Sequence, residues 1–593
     1  MTRKDKIAII GAGPTGLSAA VLLRLRGYEP IVIERRPDIT GYPAAHVANT
    51  RTMEVFAEMG VADRVWSEGD TKAMSSLVVW LESMAGREYG VLPIQGAAID
   101  DRGPLSAFNS VNIPQTRLEA LLLDRFESLG GKVCFDHELL GLEQDQDGVK
   151  VLFKRVADGS RGSFRCAWLI GCDGAGSTVR RAIGIEMEGP RTIARFMTIY
   201  FEADLDRLRE GRRGLLYWVG GPEARGVFIS FDEAGRTWAM LVPVGDLSIE
   251  DFDDAAATRI VHKAIGDLSV PVTLQAVSSW NMSAQVAETY RNGRVILAGD
   301  ACHRFPPTGG LGMNTGIQDA HNLVWKLCAV IGGQAGEGLI DSYEQERRPV
   351  AKRNTDQSVH NLMKMRMIDA ALGIETLAPI ALDAGTGPLT SWPPERLGID
   401  GDHTTALKRR AEIQAAIDAQ AEHFAQGAGI DLGFAYTEGV LVPDGSPAPS
   451  REPCEYRPDA HPGARLPFSS ADGSFANSTL GLVQPDGVTL FSRDPAWIAI
   501  AEAAAAQSGV VITVQLFGRE GRDLGPNVQD LLGIDDSGAV AVRPDGHVLW
   551  RLRARTDGAT DCLADAAARM AAPGEPFAPI VCSRTVEAEG VDP

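Results

Sequence analysis

The chain has 593 residues, 44% hydrophobic and 23% charged, a balance that excludes a wholly disordered, collagen-like or coiled-coil protein. At roughly 150 residues per domain it has room for three or four folding units and a buried cofactor. Its net charge of −20 argues against nucleic acid and anionic membranes as partners.

Residues 6–10 read as a short buried strand. Gly11-Ala12-Gly13-Pro14-Thr15-Gly16 follows, then an apolar-periodic helix over 17–26 and a second strand over 29–33 ending in Glu34-Arg35. This is G-x-G-x-x-G inside a βαβ unit, with an acidic residue eighteen positions after Gly16. Gly11 permits the tight turn, Gly13 lets the backbone approach a pyrophosphate, and Gly16 lets helix and strand pack closely. Pro14 and Thr15 belong with the glycines to the cofactor-binding loop, and the N-terminus of the helix that follows faces the phosphate charge. Glu34 would accept hydrogen bonds from ribose hydroxyls, with Arg35 beside it. The unit predicts dinucleotide binding and does not separate FAD from NAD.

Farther along, Arg51 begins a helix after the loop 43–50, and Gln115 opens an amphipathic helix with Leu118, Leu121 and Leu122 on one face. Residues 168–170 form an apolar strand that runs into Gly171-Cys172-Asp173-Gly174. Residues from about 195 to 280 alternate apolar and polar, which predicts an antiparallel sheet with one buried face. A strand over 294–298 then ends in Gly299-Asp300, and the loop 303–314 contains Pro307, Gly310, Gly312, Met313 and Asn314 before another helix. That loop delivers bare N–H groups at a helix N-terminus, suited to an anion or to the charge a reduced flavin carries across N1 and C2=O. Asp300, at a strand end, could take the hydroxyls of a ribityl chain.

The region from about 360 to 440 looks helical and Ala-rich. Residues 443–467 are rich in Pro, Gly, Ser and Arg and read as a linker. The remainder is a small α/β unit, with strands at 488–491, 510–516, 539–542 and 548–552, and a hairpin turn at Arg543-Pro544-Asp545-Gly546. The eight cysteines form no C-x-x-C and no zinc-ligand spacing, so reduced thiols and no metal site are expected. No targeting signal or apolar run of about 18 residues is visible, which predicts a cytoplasmic protein without membrane contact.

Three motifs, G-A-G-P-T-G at 11–16, D-G at 173–174 and G-D-A-C-H at 299–303, together resemble the FAD-dependent aromatic hydroxylases, the single-component (group A) monooxygenases. The resemblance implies that the first holds the FAD pyrophosphate, the second serves FAD and the nicotinamide nucleotide, and the third binds ribityl and phosphate. Residues 43–54 resemble the H-x-x-N-x-R-T-M-E segment of the phenol-hydroxylating branch, which includes the dichlorophenol 6-monooxygenases and 2-hydroxybiphenyl 3-monooxygenases. Residues 113–115, 201–205 and 217–219 agree, and 341–349 is similar to the long helix closing the catalytic region.

The implied fold is α/β: a Rossmann-like FAD-binding domain of the p-hydroxybenzoate-hydroxylase type, an antiparallel-sheet substrate domain, and a C-terminal thioredoxin-like domain without C-x-x-C. The expected divisions are 1–75, 106–190 and 286–360 for the three parts of the FAD-binding domain and 76–105 with 191–285 for the substrate domain. A helical region at 361–440, a linker at 441–467 and the thioredoxin-like domain at 468–593 complete the chain.

The implied reaction uses non-covalent FAD, NADPH or NADH, and O₂ to hydroxylate a phenol, ortho to its hydroxyl, through a flavin C4a-hydroperoxide. A phenolate attacks that oxygen far better than a phenol, so a base is required, and His46 stands where the branch places a histidine. The branch pairs it with a carboxylate where this chain has Asn112, which can orient an imidazole but cannot stabilise its positive charge. Tyr217 and Trp218 would line the substrate cavity together with Pro307, with Tyr217 the next candidate base, and Arg51 and Gln115 would lie near the flavin. Hydroxylation of a larger polycyclic or polyketide aromatic is the alternative that Asn112 keeps open; a flavin oxidase or sensor is a third. A homo-oligomer is expected.

Overall fold

The computed structural model describes residues 7–72, 77–94, 99–100, 103–221, 224–244, 253–373, 399, 403–424, 427–450, 452–519 and 521–572. Lys6, Cys582 and the remainder of the expected C-terminal domain after residue 572 lie outside the described residues. The chain divides into two compact units: Met1–Ala98 with Phe108–Ala320 and Arg348–Asp431, and Ile99–Ala107 with His321–Arg347 and Leu432–Pro593.

In the first unit a six-stranded sheet runs in the order Arg291–Asn292, Val295–Leu297, Trp168–Gly171, Ile7–Ile10, Ile31–Ile33, Val133–Cys134. The first pair is antiparallel and the rest are parallel. The central strands are continuous apolar runs, IAII, WLIG and VIL, buried along their whole length, as a sheet covered on both faces requires. The carboxyl ends of three of them converge on the same edge. Gly11 N–H donates to Ile33 O, Cys172 N–H to Ile10 O, and Ala298 N–H to Gly171 O. That edge is where an open α/β sheet binds its ligand.

The second sheet of this unit has seven strands, in the order Thr273–Met282, Ala194–Glu202, Thr237–Pro243, Arg225–Ser230, Gly214–Gly220, Leu77–Leu81, Glu88–Pro93. Its strands between 194 and 282 pair antiparallel, as expected; the sheet as a whole is mixed, because Gly214–Gly220 also pairs parallel with Leu77–Leu81, which enters from a distant earlier segment. Alternation assigns the two faces. Met197, Ile199, Phe201, Tyr217, Val219, Phe228, Met240 and Val242 bury against the helix Asp254–Ile265 through Ala257, Val261, Ala264 and Ile265. Each such fully buried side chain contributes about 1.5–3 kcal/mol. Their neighbours Thr198, Tyr200, Leu216, Trp218, Val227, Ile229, Ala239 and Leu241 line a cavity.

In the second unit four strands run in the order Ile512–Leu516, Val488–Ser492, Ala539–Val542, Val548–Leu552. The first pair is parallel and the others antiparallel. Residues of the helices Ala496–Ser508 and Ala559–Ala571 share a core with this sheet, through Trp497, Ala501, Leu563 and Ala567. Residues 441–467 are not a free linker. Val442 N–H donates to Leu549 O, Gly463 N–H to Val548 O and Leu466 N–H to Gly546 O, and Ala460 and Leu466 are fully buried. Prolines there prevent a regular ladder, but the remaining N–H groups still pair with the edge of the sheet.

The hairpin turn at 543–546 is present, with Gly546 N–H donating to Arg543 O, yet its charged side chains point inward. Arg543 donates to Glu346 Oε1 and Oε2 at 2.7 and 2.8 Å and to Asp545 Oδ2 at 2.5 Å, and Lys326 donates to Glu346 at 2.6 Å. Burial would raise the Glu346 carboxyl, but the two cations hold it down at about 2. Cys134, Cys166, Cys172, Cys302, Cys328 and Cys454 are free; Cys562 is disulfide-bonded, which departs from the expectation of reduced thiols throughout.

Candidate active site

A cavity of about 1080 Å³ lies in the first unit, between the ligand edge of the six-stranded sheet and the open face of the seven-stranded one. Its walls include Gly13, Pro14 and Thr15 at one end, Asp300, Pro307, Gly310, Gly312 and Met313 along one side, and His46, Gln115 and Trp218 toward the other sheet.

The glycine loop is built for an approaching backbone-bound ligand. Gly11 has φ +102°, and a Cβ there would overlap the Cys172 carbonyl; a Cβ at Gly16 would overlap the Gly11 carbonyl. Gly13, by contrast, has nothing nearer to its Cβ position than Glu119 Oε1 at 3.9 Å, so a phosphate can approach. The helix Pro14–Leu25 begins there with no side-chain cap on its free N–H groups. Glu34 braces the loop: its Oε2 accepts from the Ala12 N–H at 2.8 Å and its Oε1 from Arg36 at 3.0 Å. These hydrogen bonds and the Arg36 charge outweigh burial and hold the Glu34 carboxyl below its usual range. Arg36 rather than Arg35 pairs with Glu34; Arg35 is exposed.

Asp300 opens into the cavity. Its side chain is exposed to that cavity and its carboxylate makes no hydrogen bond among the described residues; enclosure by the surrounding protein, rather than loss of contact with the cavity, raises its pKa against the pull of His303 and Arg304. The turn that carries it is held from beneath, since Asp319 Oδ2 accepts from the Gly299 N–H at 3.2 Å and from His303 Nε2 at 2.8 Å. Gly309 and Gly310, with φ of +112° and +65°, then bend the chain into the helix Leu311–Ile331, whose first-turn residues Gly312 and Met313 line the cavity. A cradle closed to side chains, an unpartnered carboxylate and a helix N-terminus on one cavity match the phosphates, ribityl hydroxyls and ring of FAD.

On the opposite wall, His46 precedes the short strand Val47–Ala48, which pairs with Val111–Asn112. Asn112 Nδ2 donates to the Ser230 carbonyl at 3.2 Å, and Asn112 Oδ1 lies 3.0 Å from His46 Nδ1. A carbonyl only accepts, so the Asn112 amide has one orientation. Its oxygen therefore faces the imidazole, Nδ1 must carry the proton, and Nε2 keeps the lone pair. Burial lowers the His46 pKa more than the Asn112 hydrogen bond raises it, so the ring is neutral at neutral pH.

The remaining expected residues separate. Gln115 and Trp218 line the cavity, and Gln115 donates to the buried Glu119 at 2.8 Å. Tyr217 does not: the strand turns it to the opposite face, where it is fully buried and its hydroxyl accepts from the Gly214 N–H at 2.8 Å. Arg51 is buried against Glu54 at 2.9 Å and lies off the cavity wall. Asp173 uses its carboxylate on its own loop, accepting from Ser177 Oγ and from the Thr178 and Val179 N–H groups, while Gly174 lines the cavity. Asn314 is buried behind the loop 307–312 and bonds Gly310 O and Val47 O. Sequence reasoning missed Glu119, Asp319, Phe231 and Phe424. Phe231 meets His46 edge-on at 6.1 Å, and Phe424 meets Trp218 at 6.3 Å; only the helical periodicity of 115–122 hinted at any of them, by placing Glu119 one turn after Gln115.

The FAD binding domain family matches residues 4–358, well over half the chain. The 2,4-dichlorophenol 6-monooxygenase of Cupriavidus pinatubonensis is 32% identical over 96% of this chain and 95% of its own length. The chain belongs to the group A FAD-dependent aromatic hydroxylases, in the phenol monooxygenase branch. Other members differ in what they are named for: the tetracenomycin B2 monooxygenase-dioxygenase of Streptomyces olivaceus is 29% identical over 95% of this chain and 98% of its own. The flavin-dependent monooxygenase PieE, solved in complex with FAD and substrate, is 34% identical with a TM-score of 0.85, covering 95% of this chain and 98% of that one. The hydroxylase is thus an FAD-dependent aromatic monooxygenase, in a family whose usual reductant is NAD(P)H. No helix among its described residues is long and apolar enough to cross a membrane.

Proposed function

We propose that this hydroxylase adds a hydroxyl group to a phenolic ring, ortho to the existing hydroxyl, with His46 taking the phenol proton. The observation that carries the reading is the chain from the Ser230 carbonyl through Asn112 to His46, which leaves Nε2 as a neutral acceptor on the cavity wall. When bound, FAD supplies the activated oxygen after reduction by NAD(P)H. Gly11, Gly13 and Gly16 make room for its phosphates, Asp300 takes ribityl hydroxyls, and the loop 307–313 with Gln115 borders its ring. Leu216, Trp218, Val227, Ile229 and Leu241 give a planar aromatic an apolar wall. Asn112 orients His46 without adding charge, so proton transfer relies on the neutral imidazole alone.

A second reading, a larger fused-ring aromatic substrate, draws on Asn112, the uncharged residue beside His46 where the phenol branch has a carboxylate. Product formed per NAD(P)H consumed, across monocyclic phenols and fused-ring phenols, separates the two. Consumption that yields only hydrogen peroxide would favour an oxidase instead.

For the C-terminal region we infer a thioredoxin-like domain without a thiol pair. Support comes from its strand order, in which the second strand lies parallel to the first and the third and fourth follow antiparallel on the other side. Ser492-Arg493-Asp494-Pro495 stands at the end of its first strand in place of a C-x-x-C. Unchanged turnover in a Ser492→Ala, Arg493→Ala variant would agree with a structural role.

A further inference from the structure

The strand next to His46 and the loop assigned to the flavin are tied together by residues outside the reaction. Asn49, which caps the helix Thr50–Met59, donates its backbone N–H to Asn314 Oδ1 at 2.9 Å. Asn314 Nδ2 in turn reaches Val47 O at 3.0 Å and Gly310 O at 2.8 Å. One asparagine therefore holds both the residue after His46 and the turn before the helix Leu311–Ile331.

Behind Asn49 stands Asp431, the last residue of the helix Ala428–Asp431. Its Oδ1 accepts from Asn49 Nδ2 at 2.8 Å, and the Thr50 N–H also bonds to it. Asn49 Oδ1 is already engaged by the Thr52 N–H at 3.0 Å, so the Asn49 amide has one orientation and its NH₂ needs an acceptor. The charged group that acts on Asp431 is Arg353, from the helix Gly338–Lys364.

We propose that Asp431 is a positioning residue of the flavin site: through Asn49 and Asn314 it holds the strand beside His46 and the loop 307–312 in one arrangement. The inference rests on the flavin reading of that loop. A carboxylate accepts from both Asn49 and Thr50, whereas a protonated acid turns one oxygen into a donor and loses an acceptor. Burial pushes Asp431 up to about 7, against the pull of Asn49, Arg353 and Thr50. The hold on the loop therefore changes in the neutral range and loosens on the acid side.

The test follows the FAD-loaded protein by flavin absorption and fluorescence as pH is varied around about 7. Wild type should show a one-proton change there, and His46→Ala should keep it. Asp431→Asn should abolish it while retaining FAD. Arg353→Gln should move the midpoint to higher pH, because it removes the cation that favours the carboxylate, and it supplies the same decision in a chain that keeps Asp431. An unchanged midpoint in either of these two variants, or no change with pH in wild type, overturns the proposal. Hydrogen exchange of residues 308–314 in the FAD-free chain gives a separate reading, with faster exchange at acid pH (after correction for intrinsic rates) expected in wild type and absent in Asp431→Asn. A chain that takes up no FAD would strike the flavin assignment, and exchange that ignores Asp431→Asn would strike this one.

Discussion

Asn112 Oδ1 stands 3.0 Å from His46 Nδ1, and its own amide nitrogen is held by the Ser230 carbonyl. A residue that cannot ionise thus fixes the tautomer of the proposed base. His46→Ala should still bind FAD and still be reduced by NAD(P)H, while product per NAD(P)H falls by roughly 10²–10⁴. Part of the loss should return as pH approaches the pKa of the free phenol, when solvent supplies the phenolate. Normal coupling in the variant would move the base elsewhere.

Asn112→Asp tests the same pair through pH. The wild-type imidazole is held below its ordinary pKa by burial, so its protonation and the loss of activity lie on the acid side of that value. A carboxylate at 112 would favour the imidazolium and raise the pKa. The acid limb of the activity profile should therefore shift to higher pH; an unmoved limb would show that His46 does not set it.

Asp300→Ala should weaken FAD binding. Its carboxylate meets the cavity without a hydrogen-bond partner among the described residues, and removing it leaves ribityl hydroxyls unpaired. The cost is on the order of 1–3 kcal/mol, roughly 5- to 150-fold in Kd. Equilibrium titration of the FAD-free protein measures it, and an unchanged Kd would remove Asp300 from the site.

Tyr217 and Trp218 are neighbours with opposite fates. Tyr217→Phe leaves the buried Gly214 N–H without its acceptor and removes the contact with Arg209, and should cost about 1–3 kcal/mol of stability with KM unchanged. Trp218→Ala should alter KM and the order of preference among phenols, because Trp218 faces the cavity. Steady-state kinetics on a phenol panel would separate them; a KM change confined to Tyr217→Phe would reverse the face assignment.

Arg543→Met leaves Glu346 and Asp545 buried without their shared cation. Breaking such a group by removing one partner typically costs about 3–5 kcal/mol. Denaturant unfolding should show a loss of that size. A loss below about 1 kcal/mol would mean that Lys326, Asn322 and the Val440 N–H together satisfy Glu346.

The glycine loop and the Asp300 turn of the candidate site were legible in the sequence because each is local. A glycine whose Cβ would strike a backbone carbonyl, as at Gly11 and Gly16, is required by a turn a few residues long. A strand–glycine–helix order fixes where a helix N-terminus points, and Asp300 lies at the end of such a strand. The same locality explains the strands of the C-terminal sheet.

Tertiary structure decided the rest, because those outcomes depend on which segments meet. Adjacent strand residues always face apart, but only the helix Asp254–Ile265 made Tyr217 core and Trp218 wall. The turn 543–546 is a local feature, yet its arginine is buried because Glu346 lies opposite it, about two hundred residues earlier. Asp431 meets Asn49 across a separation of 382 residues, and no spacing in the chain announces it. Short-range geometry is written in neighbouring residues, whereas a side chain's partner is chosen by the packing of elements far apart in the chain.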